Sequence, residues 1–163
     1  MPTTAKRAPA DACSLLDTDH RNVKKLFTAY SELIKSKATS TPQKKRDLAT
    51  EICNELTVHA QLEEEIFYPA LREAIKDTDL LDEAEVEHAS AKELIAQIQA
   101  AVDVDDKFDA KVTVLGEYID HHVKEEEGEM FPKVRKSDLD LDALGEELAA
   151  RKAELLGQAG EAH

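Results

Sequence analysis

Tryptophan is absent from this chain, and glycine and proline occur only five times each in 163 residues. Aromatic side chains make up only 4% of the sequence, and β-branched runs are few. These shortages exclude a sandwich or barrel of many short strands, which needs frequent turn formers and β-branched runs. Basic residues are also short: 21 Lys and Arg face 35 Asp and Glu, a formal charge of −14. Such a surface repels phosphate backbones and anionic membranes, so neither nucleic acid nor membrane is expected as a partner. No apolar stretch approaches the roughly 20 residues that span a bilayer. The opening MPTTAKRAPADAC lacks the apolar segment of a signal peptide. Cys13 and Cys53 form no CxxC or other ligand spacing and read as two reduced thiols. A cytoplasmic protein is expected.

What is present is helical. Ala, Leu, Glu and Lys are abundant, and 42% apolar residues suffice for one continuous core. Residues 1–10 lack periodicity and read as a flexible tail. A first helix is expected from about Asp11 to Lys37, with His20, Val23, Phe27, Ser31 and Ile34 on its inner face. Thr41 and Pro42 read as N-cap and first turn of a second helix. Its stripe is Leu48, Ile52, Leu56, His59, Glu63, Ile66 and Ala70, and Pro69 should bend or end it. A turn at Asp77-Thr78-Asp79 leads to a third helix, about Leu80 to Val102, with Ala84, His88, Ala91, Ile95 and Ile98 inward. A fourth runs from about Lys107 to Phe131 and carries Leu115, Ile119, His122 and Glu126. This predicts an all-α, up-down-up-down four-helix bundle over residues 11–135. Leu141, Leu144, Leu148 and Leu155 predict a short additional C-terminal helix within 136–163, stopped near Gly157.

One pattern is written twice: His20, then His59-x-x-x-Glu63; His88, then His122-x-x-x-Glu126. The lone histidine precedes its pair by 39 residues in the first half and 34 in the second. HAQLEEEIFYP aligns with HVKEEEGEMFP, and a proline follows the histidine by ten residues in both. Residues four apart on a helix share a face, so each pair can aim an imidazole and a carboxylate at one point. Taken singly, each group has a simpler explanation: a core histidine, a surface Glu–His pair, a solvated acidic run. Taken together they are costly, because a buried, unpaired carboxylate costs several kcal/mol or neutralises itself. A cation resolves the conflict. Six mixed N/O donors exceed one tetrahedral zinc and suit two ions with open positions, iron or manganese or zinc rather than copper(I) or calcium.

The set H…HxxxE…H…HxxxE, spanning residues from about 15 to 132, resembles the hemerythrin-like (HHE cation-binding) family. The resemblance implies a four-helix bundle around a non-haem di-iron centre. It implies Glu63 and Glu126 as bridging carboxylates and His20, His59, His88 and His122 as terminal ligands. Zinc and manganese are the substitutes to consider. Oxygen-carrying hemerythrins use five histidines, two of them on one helix. Here the position four before His88 is Ala84, so the fifth ligand is missing or replaced by Glu85. Asp17 stands beside His20 as Glu85 stands beside His88, and each either coordinates or accepts a hydrogen bond from an imidazole. His121 competes with His122, since each has a Glu four residues later; the proline register and the line through Leu115 and Ile119 favour His122. Tyr118, four residues before His122, reads as a core aromatic or as a hydrogen-bond donor to a bound oxygen species. Tyr68, Phe67 and Phe131 are expected to pack one end of the bundle.

The implied chemistry is binding of dioxygen, nitric oxide or peroxide for sensing, detoxification or storage, with peroxidase-, catalase- or oxidase-like turnover as candidate activities. The rivals are an iron donor of the iron–sulfur-repair type and a metal-stabilised interaction bundle without redox activity. A monomer or weak homo-oligomer is expected.

Overall fold

The computed structural model describes residues 11–76 and 78–161. The tail 1–10, Asp77 of the expected turn and His163 lie outside them. Seven α-helical segments account for most of the described chain: α1 (Ala12–Ile34), α2 (Thr41–Leu62), α3 (Tyr68–Ala74), α4 (Thr78–Ala100), α5 (Asp106–Glu125), α6 (Phe131–Arg135) and α7 (Leu141–Glu161). Aspartates start three of them. Asp11 accepts from the Ser14 amide, Asp105 from Phe108 and Asp140 from Ala143, each satisfying an otherwise unpaired first-turn N–H.

Two π-helical turns, Glu63–Phe67 and Glu126–Met130, join α2 to α3 and α5 to α6 into continuous rods. Pro69 and Pro132 explain them. In an unbroken α-helix the proline ring collides with the carbonyl four residues earlier. The wider turn, closed by Tyr68 N–H to Glu63 O and Phe131 N–H to Glu126 O, admits the ring without ending the rod. The extra residue also turns the helix face. Phe67 and Leu71 are therefore fully buried, where a plain α-helical stripe predicted Ile66 and Ala70.

α1 packs on α2 and α5, and α4 packs on the same two, so four rods enclose one interior. Two apolar clusters fill it. One gathers Leu16, Leu62, Phe67, Leu71, Leu81, Phe131 and Val134 beneath Leu144, Leu148 and Leu155 of α7. The other gathers Val23, Tyr30, Ile52, Leu56, Ile95, Ile98, Phe108 and Leu115. A fully buried Leu or Phe contributes roughly 1.5–3 kcal/mol, and these clusters hold the rods together on either side of a polar layer. Gly116 of α5 lets Phe27 of α1 approach: a Cβ there would meet the ring at 3.0 Å.

Some boundaries differ from expectation. Ser40, not Thr41, is the N-cap of α2, and Thr41 meets Ser36 through its hydroxyl at 2.9 Å. Along α1 the stripe leaves the core at Ser31 and Ile34, and Tyr30 is buried instead, its hydroxyl donating to Asp109. The C-terminal helix is not short. At 21 residues it runs through Gly157, which in open space and without positive φ has no stop to make. Cys13 and Cys53 are free, buried thiols, both pushed up to about 11 by burial. No helix among the described residues is long and apolar enough to cross a membrane.

Candidate metal centre

The polar layer between the two apolar clusters holds His20, His59, Glu63, His88, His122 and Glu126, none more than 8% exposed. All four rods supply donors: His20 from α1, His88 from α4, and a His-x-x-x-Glu pair from the end of each of α2 and α5. The π turn begins at each glutamate, so the carboxylate follows its histidine on the same face just before the helix widens.

The donors form two overlapping sets. Atoms of His20, His59, Glu63 and Glu126 lie within 4.8 Å of one another, and so do atoms of Glu63, His88 and His122. Glu63 Oε1 is 3.1 Å from His59 Nε2 and 3.2 Å from His88 Nε2. Glu126 reaches both sides as well, Oε1 at 3.3 Å from His20 Nε2 and Oε2 at 3.0 Å from His122 Nε2. The two carboxylates are thus shared between halves and each histidine pair belongs to one. Four Nε2 atoms point inward, two of them, on His20 and His59, only 3.1 Å apart.

A second ring of acids faces the outer nitrogens, and it repeats with the sequence. Asp19 Oδ2 is 3.1 Å from His59 Nδ1, and Glu87 Oε2 is 3.5 Å from His122 Nδ1. Glu127 Oε1 is 3.2 Å from His20 Nδ1, and Glu64 Oε1 is 3.8 Å from His88 Nδ1. The acid just before each lone histidine serves the paired histidine of its own half. The acid just after each glutamate serves the lone histidine of the other half. A carboxylate on the outer nitrogen keeps its proton there and leaves the inner nitrogen's lone pair for a metal.

Asp17 and Glu85 stand elsewhere. Asp17 pairs with Arg21 at 3.1 Å, and Glu85 with Arg72 at 2.8 Å. Three residues before a buried histidine is a position on the flank of the helix, where a cation on the neighbouring surface captures the side chain. His121 is 68% exposed along its side chain and bonds Glu125 at 3.1 Å. With Glu87 these two make a third, surface grouping apart from the buried donors.

The tyrosine at the site is Tyr68. Its ring packs with Phe67 as expected for the end of the core, but its hydroxyl turns toward the donors. Oη donates to Glu126 Oε2 at 2.8 Å and lies 3.2 Å from His122 Nε2 and 3.3 Å from His88 Nε2. Tyr118 is 49% exposed and forms the rim between the site's cavity and an outer groove. The repeat carried the signal for Tyr68: it aligns with Phe131, which stacks beside His20 at 6.3 Å between ring centres.

The electrostatics ask for cations. Burial opposes charge on His59, yet Glu63, Asp19 and Glu126 outweigh it and raise the imidazole to about 10. Burial is likewise overcome at His122, where Glu126, Glu63 and Glu87 push it up to about 12. Burial would raise Glu63, but the charge of His59 and its other neighbours holds it well below the usual carboxylate range. Both oxygens of Glu63 and Oε1 of Glu126 lack a hydrogen bond among the described residues. The donor set and the unpaired oxygens fit divalent or trivalent ions. A cavity of about 40 Å³ opens beside His20, His59, Glu63, His88 and His122, walled by Val23, Leu56, Ala91, Ile95 and Ile119.

Residues 11–134 match the Hemerythrin HHE cation binding domain. The chain belongs to this hemerythrin HHE family. The match takes in α1 through most of α6 and stops short of α7. Among solved structures, the fold is similar to a Hemerythrin HHE cation binding domain-containing protein of Mycobacterium kansasii, with a TM-score of 0.75, 25% identity, and coverage of 92% of this chain and 90% of that one. A DNA nickase of Nostoc sp. is 31% identical over 119 residues, which is 73% of this chain and 32% of that protein. This hemerythrin HHE chain thus spans about a third of the Nostoc protein.

Proposed function

We propose that this centre holds two iron ions shared by Glu63 and Glu126, with His20 and His59 on one and His88 and His122 on the other. Its function on this reading is to bind or react with dioxygen, nitric oxide or peroxide, for sensing, detoxification or storage. The carrying observation is the convergence of six buried donors, three of whose carboxylate oxygens lack a partner, beside a cavity sized for one water or a diatomic molecule. Zinc or manganese would fit the same donors. The four rods around the site are read as an up-down-up-down bundle over residues 11–135, with α7 closing one end.

Bound iron supplies one-electron redox chemistry and coordination positions that the protein leaves open. The chain's own residues do the rest. Asp19 and Glu127 hold imidazole protons outward, and the Glu87 carboxylate faces His122 Nδ1 at 3.5 Å. The apolar wall from Val23 to Ile119 keeps bulk water and large reductants away. Tyr68 keeps its proton, because burial and the charges of Glu126 and Glu63 hold the phenol well above its ordinary value. Its Oη therefore stands among the donors of the His88–His122 half, able to give a proton or an oxygen donor there.

Aerobic expression with iron, followed by metal analysis and visible spectroscopy, tests the reading. About two irons per chain, with visible charge-transfer absorption that peroxide or nitric oxide perturbs, supports it. No iron, or one tightly held zinc without colour, overturns it. Slow iron release to a chelator favours reactivity, and rapid release favours the iron-donor rival. The name of the Nostoc relative raises DNA cleavage as a second reading. The charge of −14 opposes contact with DNA phosphates, and the shared region is a minor part of that protein. Supercoiled plasmid should stay intact with the iron-loaded protein.

A further inference from the structure

Lys152 sits on α7, beyond residue 134 where the family match ends. Its Nζ is 2.5 Å from Asp19 Oδ1, and Asp19 Oδ2 is 3.1 Å from His59 Nδ1. His59 Nε2 in turn meets Glu63 at 3.1 Å. Asp19 is 4% exposed, so its oxygens have one lysine and one imidazole in place of water. We propose that Lys152 is a positioning residue for the His20–His59 half of the centre. By holding Asp19 it sets the tilt and tautomer of His59, which makes α7 a working part of the metal site and not merely a cover over an apolar end. The inference rests on the metal reading above.

The repeat gives the reason to single this contact out. Glu87, the counterpart of Asp19, faces His122, Glu125 and His121, and the lysine of that half, Lys92, bonds Glu64 behind the lone histidine His88 instead. Without Lys152, Asp19 would be a buried carboxylate with a single partner. It would then draw the His59 proton further or turn away toward water, and either change alters the donor that His59 offers. Arg151, next to Lys152, provides an internal control. It ties the same helix to Glu65 at 2.9 Å and reaches no carboxylate that holds a histidine.

The test is iron release. Protein loaded anaerobically with Fe(II) is mixed with a strong Fe(II) chelator, and release from wild type, Lys152→Met, Lys152→Gln, Lys152→Arg and Arg151→Ala is followed. Lys152→Met and Lys152→Gln are expected to speed loss of one iron on the order of tenfold, the low end for partners behind a ligand, and to leave the other unchanged. Lys152→Arg should restore the slow phase, and Arg151→Ala should match wild type. The inference is overturned if the Met and Gln variants release both irons at wild-type rates, if both irons speed up alike, or if Arg151→Ala reproduces the effect. A wild type that takes up no iron overturns the metal reading itself, and with it this inference.

Discussion

The His20–His59 half and the His88–His122 half grow from one repeated pattern and are finished differently. Each has two imidazoles, shares Glu63 and Glu126, and sets an acid behind each outer nitrogen. In the first half the aromatic neighbour is Phe131, and the acid Asp19 is buried and tied to Lys152. In the second half the aromatic is Tyr68, with a hydroxyl among the donors, and the acid Glu87 is only partly covered beside His121 and Glu125. The difference separates two tasks. The first half is braced and has a phenyl ring where the other has a hydroxyl. The second half has a proton donor at hand, and its lysine, Lys92, holds Glu64 behind the lone histidine rather than the acid behind the paired one. A repeat fixes where ligands converge; the departures from it decide what each half can do.

The largest effect should come from erasing what the halves share. Glu63→Ala removes the carboxylate that faces His59 and His88 together, and iron should fall from about two per chain to a few tenths at most, read by mass spectrometry. One iron retained in full would show that the halves are independent. Tyr68→Phe makes the second half resemble the first. Iron should stay bound while peroxide consumption falls on the order of a hundredfold, the scale of losing one proton donor. Unchanged turnover would remove Tyr68 from the chemistry and leave it a packing residue. Asp19→Asn and Glu87→Gln compare the two outer acids. The first should weaken one iron by roughly 10–100-fold, and the second less, because the Glu87 side chain is 25% exposed and 3.5 Å from its histidine. Metal removal tests both halves at once. A ligand present at about a thousand times its Kd adds about 4 kcal/mol, so a chelated chain should melt lower by about 10 °C in calorimetry.

Much of this was legible in the sequence because helix periodicity and an internal repeat are strong signals. His20, His59, Glu63, His88, His122 and Glu126 meet where their spacing pointed. Helix starts near Asp11 and Lys107 were expected from periodicity and lie one residue from the observed Ala12 and Asp106. What escaped did so for identifiable reasons. A stripe drawn at constant helical period cannot foresee a π turn, so Ile66 and Ala70 were expected inward where Phe67 and Leu71 lie. Tyr68 was assigned to packing for the same reason, since the widened turn is what brings its hydroxyl onto the donors. Asp17 and Glu85 were sought as partners because they share a helix face with a histidine. The acids that meet the outer nitrogens, Asp19 and Glu87, are instead adjacent in sequence to a histidine and reach across to the next rod. That geometry depends on how α1 and α2, or α4 and α5, cross. Lys152 lies 133 residues from Asp19 and carried no local signal.

The central claim is two inequivalent iron positions in one carboxylate-sharing site. Mössbauer spectroscopy of protein loaded with iron-57 measures it most directly. The account predicts two quadrupole doublets of equal area, with Tyr68→Phe altering one and Lys152→Met the other. A single doublet from one iron, or two irons that both variants perturb alike, would contradict it.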